Sequence, residues 1–247
     1  MTEALRAERI VKRFGSVTAL DGVSMHLAAG EILGILGDNG AGKSTLMKIL
    51  TGYQPPTSGR LFVQGEEVAL RSVDHARALG IECVYQDLAL VNGLSVYHNM
   101  FLNRERKHGL LPFMLDNPAM RRRAQEVLND IGVNIPSVDL EVERLSGGQR
   151  QAVAVARAVG SNARILLLDE PLAAMGARES ALIIDLILRL KAKGHLSILM
   201  IMHNYAQTLD IADRIMLMQH GSVTYERDSA ATSVEELMDI LRREYRA

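Results

Sequence analysis

Nine residues constrain this chain more than any other stretch of its 247: Gly37-Asp38-Asn39-Gly40-Ala41-Gly42-Lys43-Ser44-Thr45. They complete the pattern of a glycine, four residues, then glycine, lysine and serine or threonine. Ile32-Leu33-Gly34-Ile35-Leu36 ahead of them is an apolar run short enough for a buried strand. Leu46, Ile49 and Leu50 behind them recur at helical spacing. Glycines let the backbone wrap so that its N–H groups converge on phosphate oxygens, and the start of the next helix adds a dipole favourable to the same anion. In that arrangement Lys43 reaches the β- and γ-phosphates and the Ser44 hydroxyl ligates Mg²⁺. A mere glycine-rich turn with a surface lysine would need neither flank. An α/β chain with a nucleotide loop between strand and helix is therefore expected.

A second apolar run, Ile165-Leu166-Leu167-Leu168, ends in Asp169-Glu170. Open α/β sheets bind ligands at the carboxyl ends of their strands, so Asp169 is placed to hold Mg²⁺ and Glu170 to polarise an attacking water. Such a pair alone would be a solvated loop; beside a complete phosphate loop it reads as chemistry. Leu145-Ser146-Gly147-Gly148-Gln149 then opens a run of small and apolar residues, Ala152 to Val159. A serine and two glycines at a helix start form another anion site.

Elsewhere, Val23, Met25 and Leu27 alternate as in a strand, Arg60 to Gly65 suggests a hairpin, and Ile81 to Tyr85 a buried strand. From about Ser95 to Ile135 the pattern is helical, with Asn117 as a cap before Pro118 and Gly132 as a stop. Helices are expected over Gln149–Val159 and Ser180–Lys193, a strand over Ser197–Met202, and a hairpin around His220-Gly221. Thr232 and Ser233 are cap candidates for a last helix.

Composition removes several classes. With 28 Lys+Arg against 29 Asp+Glu, no global field draws the chain to nucleic acid or anionic lipid. Aromatics make up 4% with no Trp, too few for a stacking surface. Cys83 is the sole cysteine, so an intrachain disulfide is impossible, and its apolar setting suggests a buried, inert thiol. The opening MTEALRAERIVKRF lacks the apolar stretch of a secretory signal. Runs such as Ile198 to Met202 fall far short of the roughly 20 residues a membrane span needs.

Together, these motifs give the chain a close resemblance to the nucleotide-binding subunit of an ATP-binding cassette (ABC) transporter. The resemblance implies a P-loop NTPase (RecA-like) core with an N-terminal antiparallel β subdomain and an inserted α-helical signature subdomain. The matching division is 1–87 and 161–225 for core and β subdomain, 88–160 for the helical part, and 226–247 for a C-terminal helix. It also implies ATP hydrolysis with Mg²⁺, catalytic roles for Lys43, Glu170 and His203, and ATP contacts from Gly37 through Thr45. Phe14 resembles the aromatic that stacks on adenine. Gln86 resembles the glutamine that senses Mg²⁺ and the membrane partner, and His203 the histidine that contacts the γ-phosphate. Ser44, Gln86 and Asp169 would serve the metal. Ser146, Gly147, Gly148 and Gln149 would reach the ATP of a second cassette, in a head-to-tail dimer with itself or another cassette.

After Glu170-Pro171 and one further residue, Leu172, the family commonly reads S-A-L-D, whereas this chain has Ala173-Ala174-Met175-Gly176, so the acidic side chain of that loop is missing. That loop, Gly37-Asp38-Asn39-Gly40, Val84 to Val91 and Thr232 to Leu237 are similar to the monosaccharide-importer branch. A membrane permease and, through it, a solute-binding protein are the implied partners, at the cytoplasmic face of the inner membrane; no nucleic acid is expected. Another solute remains open. A DNA-repair or chromosome ATPase would need a long coiled coil between residues 45 and 146, where no sustained heptads occur. A GTPase would need N-K-x-D, and no Asn here precedes a Lys.

Overall fold

The computed structural model of the chain describes residues 3–109 and 111–244. The ends of two expected segments, residues 1–2 and 245–247, lie outside the described residues. Alternation governs the first strands. β1 (Glu3–Phe14) and β2 (Val17–Ala28) pair antiparallel and turn Leu5, Ala7, Ile10, Leu20, Val23 and Leu27 inward. After β3 (Ile32–Leu36) and α1 (Lys43–Leu50), β4 (Ser58–Val63) and β5 (Glu66–Val68) complete an antiparallel sheet of order β2-β1-β4-β5. α2 (Val73–Ala78) and β6 (Ile81–Val84) follow.

The stretch expected to be helical from 95 to 135 is interrupted. α3 (Val96–Phe101) and α4 (Asn117–Asp130) are separated by a hairpin of β7 (Lys107–His108) and β8 (Leu111–Leu115), where Gly109 and Pro112 break helical continuity. The cap of α4 is also one residue earlier than Asn117. Asp116 accepts the Ala119 N–H at 3.0 Å, and the Met120 N–H that Asn117 would have taken is bonded to the Asp116 carbonyl. Gly132, at φ 71°, lies just past the helix end as expected.

α5 (Gly147–Val159) starts inside the Ser-Gly-Gly segment, and β9 (Ile165–Asp169), α6 (Ala177–Ala192) and β10 (Ser197–Ile201) follow. Next come α7 (Tyr205–Ile211), β11 (Arg214–Gln219), β12 (Ser222–Asp228) and α8 (Val234–Glu244). Of the two cap candidates for α8, Ser233 accepts the Glu236 N–H at 3.1 Å, while the Thr232 hydroxyl bonds to Asp228 O. Among the described residues between the phosphate loop and Ser146, α4 is the longest helix at 14 residues, so no coiled coil stands there.

The central sheet has the order β12-β11-β3-β10-β9-β6 and is parallel except for β12. Its inner strands carry uninterrupted apolar runs, Ile32–Leu36, Ile165–Leu168, Ile198–Ile201 and Ile215–Met218, because both faces are covered. Ile32, Leu166, Met200 and Leu217 face the core shared with α3 to α8, while Leu33, Leu167, Leu199 and Met216 face the core shared with α1 and the first sheet. Met200 and Met216 are fully buried and fill the core on its two sides. Cys83 is half-buried, and burial pushes its thiol well above the ordinary range, so it stays protonated and unreactive.

Candidate active site

Strand register assembles the site. Ile201 of β10 stands opposite both Ile35 of β3 and Asp169 of β9, and Leu168 stands opposite Val84 of β6. The segments leaving these strands therefore emerge side by side: Gly37–Gly42, Glu170, His203 and Gln86. Segments over a hundred residues apart in sequence meet at one sheet edge.

The phosphate loop has the backbone its glycines permit. Gly37 and Gly42 have φ values of 145° and 99°, and a Cβ on Gly42 would lie 2.7 Å from the Ala19 carbonyl oxygen. Lys43 is 6% exposed and donates to the carbonyls of Gly37 at 2.5 Å and Asp38 at 2.9 Å. Burial lowers the pKa of its ammonium, against the pull of Glu170, Asp38 and Asp169. Burial and then Glu170 raise the Asp169 carboxyl, with Lys43 and His203 pulling it down. Ser44 and Thr45 lie in the first turn of α1, and Asp38, Asn39, Gly40 and Ala41 form the turn before it.

Glu170 has a positive φ of 50°, held by its N–H on Ile201 O and its carbonyl on the Ala173 N–H, both at 3.0 Å. Its Oε1 lies 2.6 Å from His203 Nε2, whose ring N–H donates to the carboxylate. One acid, one imidazole and one buried ammonium thus share the rim of the loop. Phe14 ends β1, half exposed, with the Lys12 ammonium 5.2 Å from its ring centroid. Gln86 is exposed just past β6.

The Ser146 segment is not part of this cluster. Among the described residues no hydrogen bond joins it to Lys43, Asp169, Glu170 or His203. Instead Ser146 and Gln149 close a reciprocal cap, Gln149 N–H on Ser146 Oγ at 3.3 Å and Ser146 N–H on Gln149 Oε1 at 3.0 Å. The Gly148 N–H donates to Glu179 Oε1 of α6 at 3.3 Å.

A family model described as "ABC transporter" matches residues 20–173. The chain belongs to the ABC transporter family. It is 44% identical to a xylose/arabinose import ATP-binding protein of Sulfolobus acidocaldarius, over 98% of this chain and 94% of that one. Identity to a fructose import ATP-binding protein of Rhizobium meliloti is also 44%, over 88% of this chain and 85% of the relative. The backbone superposes on a solved ATP-binding cassette of an ABC transporter in its ADP conformation with a TM-score of 0.83, at 28% identity, covering 98% of this chain and 96% of that one.

Two features of this cassette escaped the sequence reading. Arg157, in the apolar run of α5, is half-buried and donates to the carbonyls of Leu88 at 2.7 Å and Ala89 at 2.9 Å, tying the segment after Gln86 to the signature helix. Its only sequence signal was a charge among alanines and valines. Glu179, the acid in the first turn of α6, had no such signal.

The donor set at the loop suits Mg²⁺. Ser44, Asp169 and Gln86 offer hard oxygens, and among the described residues no group of three or more His, Cys, Asp or Glu forms a closed metal cage. Magnesium keeps most of its waters and takes one or two protein oxygens beside substrate phosphates, which is what this set provides.

Proposed function

We propose that this chain is the ATP-hydrolysing subunit of a monosaccharide importer, working as a head-to-tail pair of cassettes with two ATP between them. The observation that carries it is the meeting of Lys43, Asp169, Glu170 and His203 at one sheet edge, while the Ser146 segment presents its donors elsewhere. One cassette thus holds two half-sites that only a facing copy can join. The division into a core of 1–87 and 161–225, a helical part of 88–160 and a C-terminal segment of 226–247 belongs to the same reading.

Backbone N–H groups of Gly37–Thr45 and the Lys43 ammonium bind the β- and γ-phosphates, and Phe14 stacks on the adenine. Ser44, Asp169 and Gln86 would hold Mg²⁺, which would neutralise charge on the phosphates. Glu170 takes a proton from water as its oxygen attacks the γ-phosphorus; the bond to the β–γ bridging oxygen breaks and ADP leaves. His203 holds the Glu170 carboxylate in place in the free cassette and turns the same Nε2–H to the γ-phosphate once ATP is bound. Ser146, Gly147, Gly148 and Gln149 add donors to the facing subunit's ATP, which stabilises the closed pair until hydrolysis weakens it.

The xylose/arabinose and fructose relatives support a monosaccharide as cargo, and a permease and solute-binding protein as partners. Among the described residues no helix is long and apolar enough to cross a membrane. The proposed place is therefore peripheral, on the permease at the cytoplasmic face of the inner membrane. In light scattering, Glu170→Gln with Mg-ATP should shift from monomer to dimer while turnover falls roughly 10²–10⁴-fold. Full turnover would remove Glu170 from its role, and a persistent monomer at high concentration would break the sandwich. Stimulation of the reconstituted complex by a monosaccharide-loaded binding protein tests the cargo.

A further inference from the structure

We propose that Glu179 is a positioning residue whose carboxylate occupies the anion place at the start of α5 in the separate subunit and yields it to the γ-phosphate of the facing subunit's ATP. The inference rests on the head-to-tail reading above. In the first turn of α5, the Ser146–Gln149 cap satisfies the Ser146 and Gln149 N–H groups internally. The Gly148 N–H is instead taken by a carboxylate from another element, Glu179 Oε1 at 3.3 Å. Gly148 makes room for it, since a Cβ there would lie 3.2 Å from Glu179 Cβ, and Gly147 lies beside it, where a Cβ would be in contact with Glu179 Oε2 at 3.6 Å.

Glu179 also sits in the first turn of α6, whose cap residue Gly176 offers no side chain. One negative charge thus lies against two helix N-termini, where it is favourable. That charge holds the Gly148 donor in place before a phosphate arrives, and it repels the phosphate as it approaches. Closure of the dimer is therefore opposed until the carboxylate swings aside. Gly176 stands where the family commonly has an acid, and Glu179 restores one three residues later, aimed at the subunit's own signature instead.

Light scattering of Glu170→Gln and of the double variant Glu170→Gln/Glu179→Gln, in Mg-ATP over a range of protein concentration, reads the midpoint of dimer formation. The Glu179→Gln side chain keeps an oxygen to accept the Gly148 N–H and removes only the charge, so a purely structural role leaves the midpoint unmoved. The expected result is dimer formation at roughly tenfold lower concentration, since both nucleotide sites carry the contact. The difference should shrink in 1 M salt, where screening reaches about 3 Å. An unchanged or raised midpoint, with Glu170→Gln dimerising normally, overturns the proposal and leaves the sandwich standing. If neither protein dimerises at any concentration, the sandwich falls and the proposal with it. A shift seen with Glu179→Ala and not with Glu179→Gln would assign the effect to bulk and overturn the charge argument.

Discussion

Gly34 is a position without slack, and it links the core to the site. A Cβ there would lie 2.4 Å from Thr208 Cγ2, 3.2 Å from Ala212 Cβ and 3.6 Å from Ile215 Cγ2. Thr208 is fully buried in α7 and its hydroxyl donates to Asn204 O at 2.7 Å, so its methyl cannot rotate away without breaking that bond. Gly34→Ala must therefore push α7 off β3 by about 1 Å to regain ordinary contact, an overpacking cost of about 1–3 kcal/mol. At about 2–4 °C per kcal/mol for a chain of this size, Tm should fall by roughly 2–12 °C. His203 lies on the link between β10 and α7, so the same displacement draws its Nε2 from Glu170, and turnover should fall up to about 10²-fold. Thr208→Ser deletes the clashing methyl and keeps the hydroxyl; alone it should cost about 0.5–1.5 kcal/mol. In the double variant the clash is gone, so the losses should undershoot their sum by about 1 kcal/mol or more. Thermal unfolding and ATP turnover of the four proteins measure this cycle. Additive losses, or a Tm for Gly34→Ala within a degree of the parent, would refute the packing argument.

Lys43→Ala should lose ATP affinity at least about tenfold by calorimetry, as removal of a phosphate-binding ammonium demands, with the fold intact. Retained affinity would contradict the loop's assignment. Asp169→Asn should abolish turnover yet raise the Tm of the isolated protein at neutral pH, because burial and Glu170 raise the Asp169 carboxyl and make its ionisation unfavourable in the fold. A raised carboxyl contributes stability below its unfolded pKa of about 4 that is lost as pH rises, so the variant's Tm advantage should widen from acid to neutral pH; a constant gap would sink the argument. Arg157→Met should free the Leu88 and Ala89 carbonyls, costing about 1–3 kcal/mol and speeding hydrogen exchange over residues 86–91. Unaltered exchange there would show that the clamp does not hold the segment.

What was legible in the sequence is what repeats or what the backbone dictates. β3, β9 and β10 are apolar on both faces because helices and a second sheet cover them, and that leaves an uninterrupted run in the chain. The phosphate loop is legible because only glycine tolerates the φ values of Gly37 and Gly42. The β7–β8 hairpin was not, since Gly109 and Pro112 are weak signals inside a segment flanked by helical spacing. Nor were the Arg157 and Glu179 contacts, which join residues 69 and 31 positions apart. A single charge meeting a single carbonyl or amide across the fold has no period to betray it.

The chemistry depends on one departure from strand geometry. Side chains along a strand alternate between faces, so a regular continuation of β9 would send Asp169 and Glu170 to opposite sides of the sheet. Glu170 instead takes a positive φ of 50°, a conformation that costs an L-residue of order 1–3 kcal/mol and persists only where neighbours fix it. Here the Glu170 N–H is fixed on Ile201 O and its carbonyl on the Ala173 N–H. The outcome is that Asp169 and Glu170 both act on the Lys43 ammonium, while of the two Glu170 hydrogen-bonds His203. Two adjacent acids thereby acquire different surroundings, one part-buried with its carboxyl raised and one braced by an imidazole. The roles proposed for them, holding a metal and accepting a proton, call for such a difference, and here it comes from the backbone.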